Sequence, residues 1–248
     1  MLRYIFINLS LILFLLPAIS QDYSQPRSDR ERQKLQDEEG TPLKKKEKIP
    51  YPDKKRGTEL GIDISRFFIP LFDDDRIAIE ASIRSNLGKR TFFVGSLGSD
   101  RVAFDDKSYT YESTGIYATA GVDYDIFAVA EEGNNDNILV GLRYGYAIQE
   151  HGASSITIYE GYWGDFTSSI SPYTLSTHWV EAVVGLRSEV LNNFYMSWMI
   201  HIKGKINSSN TELLEPYTVP GFGTGSNSFN LGFSYVLAYQ IPWGNTKR

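Results

Sequence analysis

The sequence predicts an all-β protein, an eight-stranded antiparallel up-and-down transmembrane β-barrel that follows a disordered N-terminal leader. First, apolar and polar side chains alternate with a period of two, which is typical of strands whose two faces meet different surroundings. Second, the alternating segments are about ten residues long, the length that crosses an outer membrane at a tilt. Third, short turns alternate with long polar loops, as in barrels whose long loops face the cell exterior.

The clearest alternation lies in residues 176–205, which predict two strands joined by a tight turn at 191–193. In the second of these strands, Trp198 and Ile200 share one face, while Ser197 and His201 lie on the other. An even number of strands leaves both termini on the periplasmic side. The other strands are predicted at about 58–66, 76–84, 90–98, 115–125, 138–148 and 227–241.

The N-terminal part of the chain predicts export. Residues 1–20 are typical of a secretory signal peptide, with Arg3 before an apolar core at 5–16. That core is too short for a transmembrane helix. Residues 21–56 contain eleven basic and eight acidic side chains but few apolar ones, which predicts a disordered charged leader in the periplasm. The barrel is therefore expected over residues 57–248, in the outer membrane.

The polar face of the predicted strands carries the ionisable residues. A soluble eight-stranded ligand-binding barrel would show the same alternation with its apolar face inward. The membrane version is favoured because charges of both signs and glycines share one face, whereas the other face has large apolar side chains. An eight-stranded interior is just wide enough for side chains, so we expect a packed lumen rather than a diffusion pore. The predicted lumen polar network consists of Glu59, Asp63, Glu80, Arg84, Arg143, Glu181, Arg187, Glu189, His201 and Lys203.

A family resemblance is carried by five short stretches: ELGIDISR at 59–66, VGLRYGY at 140–146, YWGDF at 162–166, HWVE at 178–181 and YTVPGFG at 217–223. They resemble a family of outer-membrane β-barrel proteins of Bacteroidota whose domain has no assigned function. The resemblance covers about residues 57–243, the whole predicted barrel. The resemblance implies that the protein lies in the outer membrane of such a bacterium. It assigns no catalytic residue to this sequence.

No catalytic residue, metal site or cofactor is predicted. The chain has no cysteine, which excludes disulfides and thiolate metal sites. The three histidines, at 151, 178 and 201, do not share metal-ligand spacing. The strongest candidate for a lipid hydrolase or acyltransferase at the rim is Glu150 and His151 with Ser154 and Ser155, just past the fifth strand. The favoured interpretation of these four residues is a solvated loop.

Two other polar groups have a structural and a functional interpretation. His201 shares a face with Ser197, and Glu181 or Glu189 is expected across from it, which favours a buried polar network over a catalytic triad. The acidic and amide residues at 73–75 and 133–137 offer oxygens to Ca²⁺, but neither stretch has the spacing of a known calcium loop. Both stretches are better explained as turns.

The long loops at 149–175 and 206–226 are the predicted contact sites. The first combines aromatic rings with a carboxylate, as surfaces that bind proteins or glycans do. The alternative is that these rings fold onto the barrel rim and plug it, with 217–225 as the other half of the cap. The candidate partner-binding residues are Tyr159, Tyr162, Trp163, Asp165 and Phe166.

The predicted function is that of a non-enzymatic outer-membrane barrel with a structural or accessory role. Outer-membrane lipid is an expected partner, and another envelope protein or a glycan is the candidate ligand of the loops. The alternatives are a rim-site lipid-modifying enzyme, a narrow channel and a soluble periplasmic barrel. Residues 57–248 carry thirteen basic against twenty-two acidic side chains, a net charge of −9, which argues against a nucleic-acid partner.

Overall fold

The computed structural model of the protein describes residues 54–105, 109–126, 135–158, 166–209 and 214–243. The predicted signal peptide and nearly all of the predicted leader lie outside the described residues. No helix in the described ranges is long and apolar enough to cross a membrane. The strands are β1 (Gly57–Asp63), β2 (Arg76–Asn86), β3 (Thr91–Asp105), β4 (Thr110–Asp125), β5 (Asn137–Ile158), β6 (Phe166–Leu191), β7 (Phe194–Ser208), β8 (Thr218–Val219), β9 (Gly223–Thr224) and β10 (Phe229–Pro242).

Eight of these strands form a closed antiparallel barrel, in which β1 to β7 pair in chain order and β10 pairs with both β7 and β1. Strands β8 and β9 form a separate two-stranded hairpin. The predicted eight-stranded up-and-down architecture is confirmed. We call the end of the barrel with the β2–β3, β4–β5 and β6–β7 connections the turn end, and the opposite end the loop end.

The apolar face of the strands lies outside the barrel and the polar face inside. On β5, Leu142 is 64% exposed whereas its neighbour Arg143 is 8% exposed. We call the outward apolar side chains the apolar belt, to which each of the eight barrel strands contributes. A soluble barrel would place this face inside, so the arrangement is that of a membrane-spanning barrel. One belt residue from each strand is Leu60, Ile79, Leu97, Ile116, Leu142, Val184, Ile200 and Phe233.

Strands β3 to β6 extend further toward the loop end than predicted. Strand β5 has 22 residues and β6 has 26, whereas segments of about half that length were expected from their alternation. Most of the predicted loop at 149–175 is therefore strand. The reason is physical: beyond the apolar belt Ser and Thr occur on both faces among apolar residues, as in 166–174, so the backbone ladder continues while the hydrophobic period ends.

Strand β1 is shorter than predicted and leaves a seam in the wall. It pairs with β10 up to Asp63 opposite Val236, and with β2 up to Ile62 opposite Ala81. Residues 64–71 then form a 3-10 helix that packs against β2 and β10. The Asp63 carboxylate accepts hydrogen bonds from the backbone N–H groups of Ser65 and Tyr235, both at 3.0 Å. This carboxylate therefore ties the helix to the edge of β10.

Candidate functional site

The middle of the lumen is filled by a layer of ion pairs. Arg143 meets the Asp123 carboxylate at 3.0 Å, and Arg84 meets the same carboxylate at 3.2 Å. Glu59 pairs with Arg187 and lies 3.5 Å from Arg84. Successive side chains on each strand point alternately into and out of the barrel. Inward side chains from different strands, far apart in sequence, therefore meet in this layer. Charges of both signs compensate each other there, away from bulk water.

The structure places all ten residues of the predicted polar network on the inward face. Nine of them are buried, and Glu189, at the turn end, is half-buried. Sequence analysis missed Arg66, which pairs with Glu80 of the network at 2.7 Å, and Asp100, which pairs with Arg76 outside the network. Arg66 was predicted at the end of a strand, on its apolar face, and Asp100 was predicted beyond a strand, so the period of two assigned neither residue to the lumen.

The turn end of the lumen is closed by the start of the described chain. The Lys54 ammonium lies 2.9 Å from the Asp125 carboxylate, and the Lys55 ammonium lies 2.7 Å from Glu189. The backbone N–H of Lys55 also donates to the Asn135 side chain at 3.2 Å. These residues were assigned to the leader, but they cross the mouth of the barrel and bind its wall.

The loop end of the lumen is closed by residues 217–225, which we call the plug. Val219 and Phe222 of the plug are completely buried against Tyr117 and Trp179 of the barrel. The Lys203 ammonium donates to the Gly221 carbonyl at 2.6 Å. Predicted as half of a cap, this segment enters the barrel mouth with an apolar core of its own, so it is more than a surface loop.

Glycines make room for the large rings beneath the plug. A Cβ atom on Gly145 would lie 2.0 Å from the Trp179 indole, and one on Gly98 would lie 2.4 Å from the Tyr117 ring. Gly221 has a positive φ of 70°, which lets the plug turn over Tyr117. Beside the central layer of ion pairs, a recess of about 30 Å³ is lined by Ser234, Glu80 and Arg84 among others. This volume holds one or two water molecules at most.

A buried chain of polar groups runs beside this recess. Glu181 Oε2 lies 3.2 Å from His201 Nδ1, and His201 Nε2 lies 2.9 Å from Ser234 Oγ. The residue types and their order are those of a catalytic triad. Ser197, the serine predicted from sequence, makes no hydrogen bond among the described residues through its buried hydroxyl. Ser234 is only 4% exposed, inside the lumen and under the plug, so this chain of hydrogen bonds has no open route to a substrate.

The predicted rim constellation is not joined into a catalytic arrangement, although Glu150, His151 and Ser154 line one recess. His151 points inward and is 1% exposed, and its Nδ1 lies 3.4 Å from the Tyr111 hydroxyl. Glu150 and Ser154 lie on the outward face of β5. Among the residues that the structure describes, no hydrogen bond joins His151 to Glu150, Ser154 or Ser155. Burial lowers the pKa of His151 and raises that of Tyr111, so both groups are neutral at physiological pH.

Four of the five candidate partner-binding residues, Tyr159, Tyr162, Trp163 and Asp165, lie outside the described residues. Phe166, the one described member, opens β6 and is exposed. An aromatic patch that sequence analysis missed lies at the loop end instead. The Phe104 ring lies 5.4 Å from that of Tyr109 and 6.4 Å from that of Tyr217. We call these three residues the rim patch; Tyr109 and Tyr217 are exposed.

The polar turns do not form a metal site in the described residues, where no group of three or more His, Asp or Glu side chains is close enough to hold an ion. At 73–75 the backbone turns, with the Arg76 N–H donating to the Asp73 carbonyl at 3.2 Å. Of 133–137, the last three residues are described: Asn135 and Asn137 bind Arg187, and Asp136 accepts from Ser188 at 2.7 Å.

Several solved structures are similar to this chain. The attachment invasion locus protein Ail of Yersinia pestis is 11% identical, with 75% of this chain and 98% of that chain covered and a TM-score of 0.41. A major outer membrane protein of Thermus thermophilus is 10% identical over 75% and 98% of the two chains, with a TM-score of 0.42. Acinetobacter baumannii CarO2 is 8% identical over 77% and 99%, with a TM-score of 0.37.

No curated protein matches this sequence significantly. A family model described as a domain of unknown function, DUF6048, matches residues 1–246. The match extends beyond the barrel residues that carried the resemblance and takes in the N-terminal segment as well. It confirms membership of a family whose domain has no assigned function, and the bacterial group stays a prediction. The chain belongs to the DUF6048 family.

Proposed function

We propose that this protein is a non-enzymatic, non-conducting barrel of the outer membrane, with a structural or accessory role. In this proposal a signal peptide exports the chain, the leader and the turn end face the periplasm, and the loop end faces the cell exterior. The observation that carries the proposal is a filled lumen, closed at both ends, inside a barrel whose exterior is apolar. We also expect the chain to come from Bacteroidota, as the sequence resemblance implies.

The filled lumen argues against transport. An ion crossing the barrel would have to displace Lys54 and Lys55 at one end, the central layer of ion pairs, and then the plug. Separating Arg143 from Asp123 breaks a buried ion pair, and removing one partner of such a pair costs about 3–5 kcal/mol. A steady conductance is therefore not expected without a large rearrangement of the plug.

The rim patch supports contact with another envelope protein or a glycan. Tyrosine rings with a polar tip are favoured at protein interfaces and stack on other flat apolar surfaces. Tyr217 is held by the Phe104 ring, and its backbone N–H donates to the Tyr111 hydroxyl at 3.3 Å. The patch is therefore positioned before any partner arrives, which lowers the entropy cost of binding.

Membrane fractionation combined with planar-bilayer recording tests this proposal. The mature protein should enter the outer-membrane fraction, should migrate faster on gels before boiling than after it, and should give no steady current. Crosslinking followed by pull-down should recover a neighbour whose yield falls in Tyr217→Ser but not in Thr224→Ser, a nearby exposed position. Steady ion flux through the unmodified protein would contradict the non-conducting part of the proposal.

A lipid-modifying enzyme is the second candidate, and the hydrogen-bonded order Glu181–His201–Ser234 is the observation that favours it. If the plug left the barrel, Ser234 would become reachable. A fluorophosphonate probe, which reacts with activated serines, tests this candidate directly. We expect no labelling of the reconstituted protein; labelling that disappears in Ser234→Ala would make the protein an enzyme.

A further inference from the structure

Two recesses adjoin on the outer wall of the barrel. The lower one, of about 490 Å³, lies within the apolar belt on β2 to β5. The upper one, of about 220 Å³, lies nearer the loop end, on β4 to β6. The lower recess is lined by Ile79, Ala81, Leu97, Ile116, Ala118 and Ile148, and the upper recess by Thr110, Glu112, Thr114, Glu150, Ser154 and Pro172.

The strand register places the polar recess directly above the apolar one. Ile116 is paired with Ile148 between β4 and β5, and the next outward pair toward the loop end is Thr114 with Glu150. Glu112 with Gly152, and then Thr110 with Ser154, continue the same column. A single stripe on the wall therefore changes from apolar to polar within one outward step, about 7 Å along the strand.

Arg101 lies at this change of polarity. It is paired with Thr114 across β3 and β4 and with Ile77 across β2 and β3, two residues beyond Ser99 of the apolar recess. Its side chain is exposed on the outer wall. Within the described ranges, neither Arg101 nor Glu150 has an ion pair or hydrogen bond for its side chain. A cation thus lies at the boundary between the apolar recess and the polar column above it.

Local sequence explains both recesses. Small side chains at Ala81, Ser99 and Ala118 form the floor of the apolar recess between larger neighbours. The upper recess coincides with an irregularity in the β5–β6 pairing, where the partner of His151 is Tyr173 but that of Ala153 is Ile170. Bulges of this kind redirect side chains and open space in a sheet.

From these features we propose that the stripe docks one phosphorylated glycolipid of the outer leaflet. Acyl chains fill the apolar recess, the phosphate meets Arg101, and sugar hydroxyls donate to the carboxylates of Glu112 and Glu150. The inference rests on the proposed outer-membrane placement, with the loop end outside. The polar column from Thr114 to Thr110 is about 13 Å long, which suits a saccharide headgroup better than a small glycerophosphate one.

Native mass spectrometry of the full-length protein, extracted from outer membranes with mild detergent, tests the proposal. The unmodified barrel should retain about one phosphorylated glycolipid through repeated detergent exchange. Ala118→Leu fills the floor of the apolar recess, and Arg101→Gln removes the cation. We expect each to lower the retained glycolipid about tenfold, which corresponds to the loss of one good contact.

Matched controls separate the site from general effects on the barrel. Ala182→Leu makes the same change on the outward face of β6, away from both recesses, and Arg56→Gln removes an exposed cation at the turn end. Neither should alter glycolipid retention. Three results would each overturn the proposal. The first is an equal loss of retained glycolipid in Ala118→Leu and Ala182→Leu, and the second is retention of glycerophospholipid alone. The third is a crosslinked dimer that Ala118→Leu abolishes. Absence of the unmodified protein from the outer-membrane fraction would instead contradict the proposed function on which it rests.

Discussion

Arg143 on β5 donates to the Asp123 carboxylate on β4 at 3.0 Å, in the middle of the lumen, and Asp123 is completely buried. Arg84 on β2 approaches the same carboxylate at 3.2 Å. One acidic side chain therefore connects three strands across the interior. Backbone hydrogen bonds stabilise the barrel wall, and ion pairs between oppositely charged side chains stabilise its interior.

The variant Arg143→Leu should destabilise the barrel, because it leaves Asp123 with a single cation in a buried site. Removing one partner of a buried pair costs about 3–5 kcal/mol in the free energy of unfolding. Urea unfolding of the reconstituted protein measures this loss. Arg56→Leu, the same change at an exposed position, should leave the unfolding curve almost unchanged. Full urea resistance in Arg143→Leu would show that the inward ion pairs do not stabilise the fold.

Gly145→Ala should also destabilise the protein, because the new Cβ would lie 2.0 Å from the Trp179 indole beneath the plug. Forcing extra volume into a packed interior costs about 1–3 kcal/mol. The temperature at which the barrel loses its faster gel migration should therefore fall. At Gly88 nothing lies within 4 Å of an added Cβ, so Gly88→Ala serves as the control. Equal melting temperatures would mean that Trp179 does not occupy this space.

The alternation of side chains was enough to place the ten residues of the predicted polar network on the inward face, because a strand has only two faces. It also placed Arg143 and Glu181 on the same face of neighbouring strands, and the two are paired in the β5–β6 register. The alternation could not predict the serine that pairs with His201. Ser197 lies on the same strand, whereas Ser234 comes from β10, and the register between β7 and β10 depends on the length of an unpatterned connection.

The plug was the least predictable part of the structure. Its strands β8 and β9 have two residues each, too few for any hydrophobic period. Val219 and Phe222 are flanked by Pro220, Gly221 and Gly223, a composition that is equally typical of a surface loop. The burial of these two side chains depends on a Trp and a Tyr from β6 and β4, which no local pattern reveals.

Phe222→Asp should release the plug, because a charge would replace a ring packed against Trp179 at 5.9 Å between centroids. Taking a carboxylate out of water into this buried apolar cluster costs several kcal/mol, which opposes the packed position of the plug. We expect protease cleavage within 214–228 to become faster. Thr224→Asp introduces the same charge at an exposed plug position and should resist cleavage as the unmodified protein does. Equal cleavage rates in the two variants would contradict the burial of the plug.

Acid should weaken the loop end through His151. Its pKa is lowered by burial in the folded protein, so the neutral ring is favoured there. The resulting contribution to stability is complete above the ordinary histidine pKa of 6.5 and is lost as the pH falls through the lower folded value. The urea midpoint of the unmodified protein should fall between about pH 7 and pH 5, and His151→Gln should show a smaller fall. His178→Gln, on the outward face, is the control. An identical pH dependence of the urea midpoint in all three proteins would show that His151 does not cause the loss of stability in acid.

The central claim is that lipid covers the apolar belt, and lipid quenching of a fluorophore tests it most directly. Because the chain has no cysteine, single variants Leu142→Cys on the outward face and Gly88→Cys in the open β2–β3 turn can each carry one bimane label. In bilayers of brominated lipid, the label at position 142 should be strongly quenched and the label at position 88 should not. Quenching at position 88 with none at position 142, or labelled protein that stays soluble without lipid, would contradict the membrane-spanning barrel.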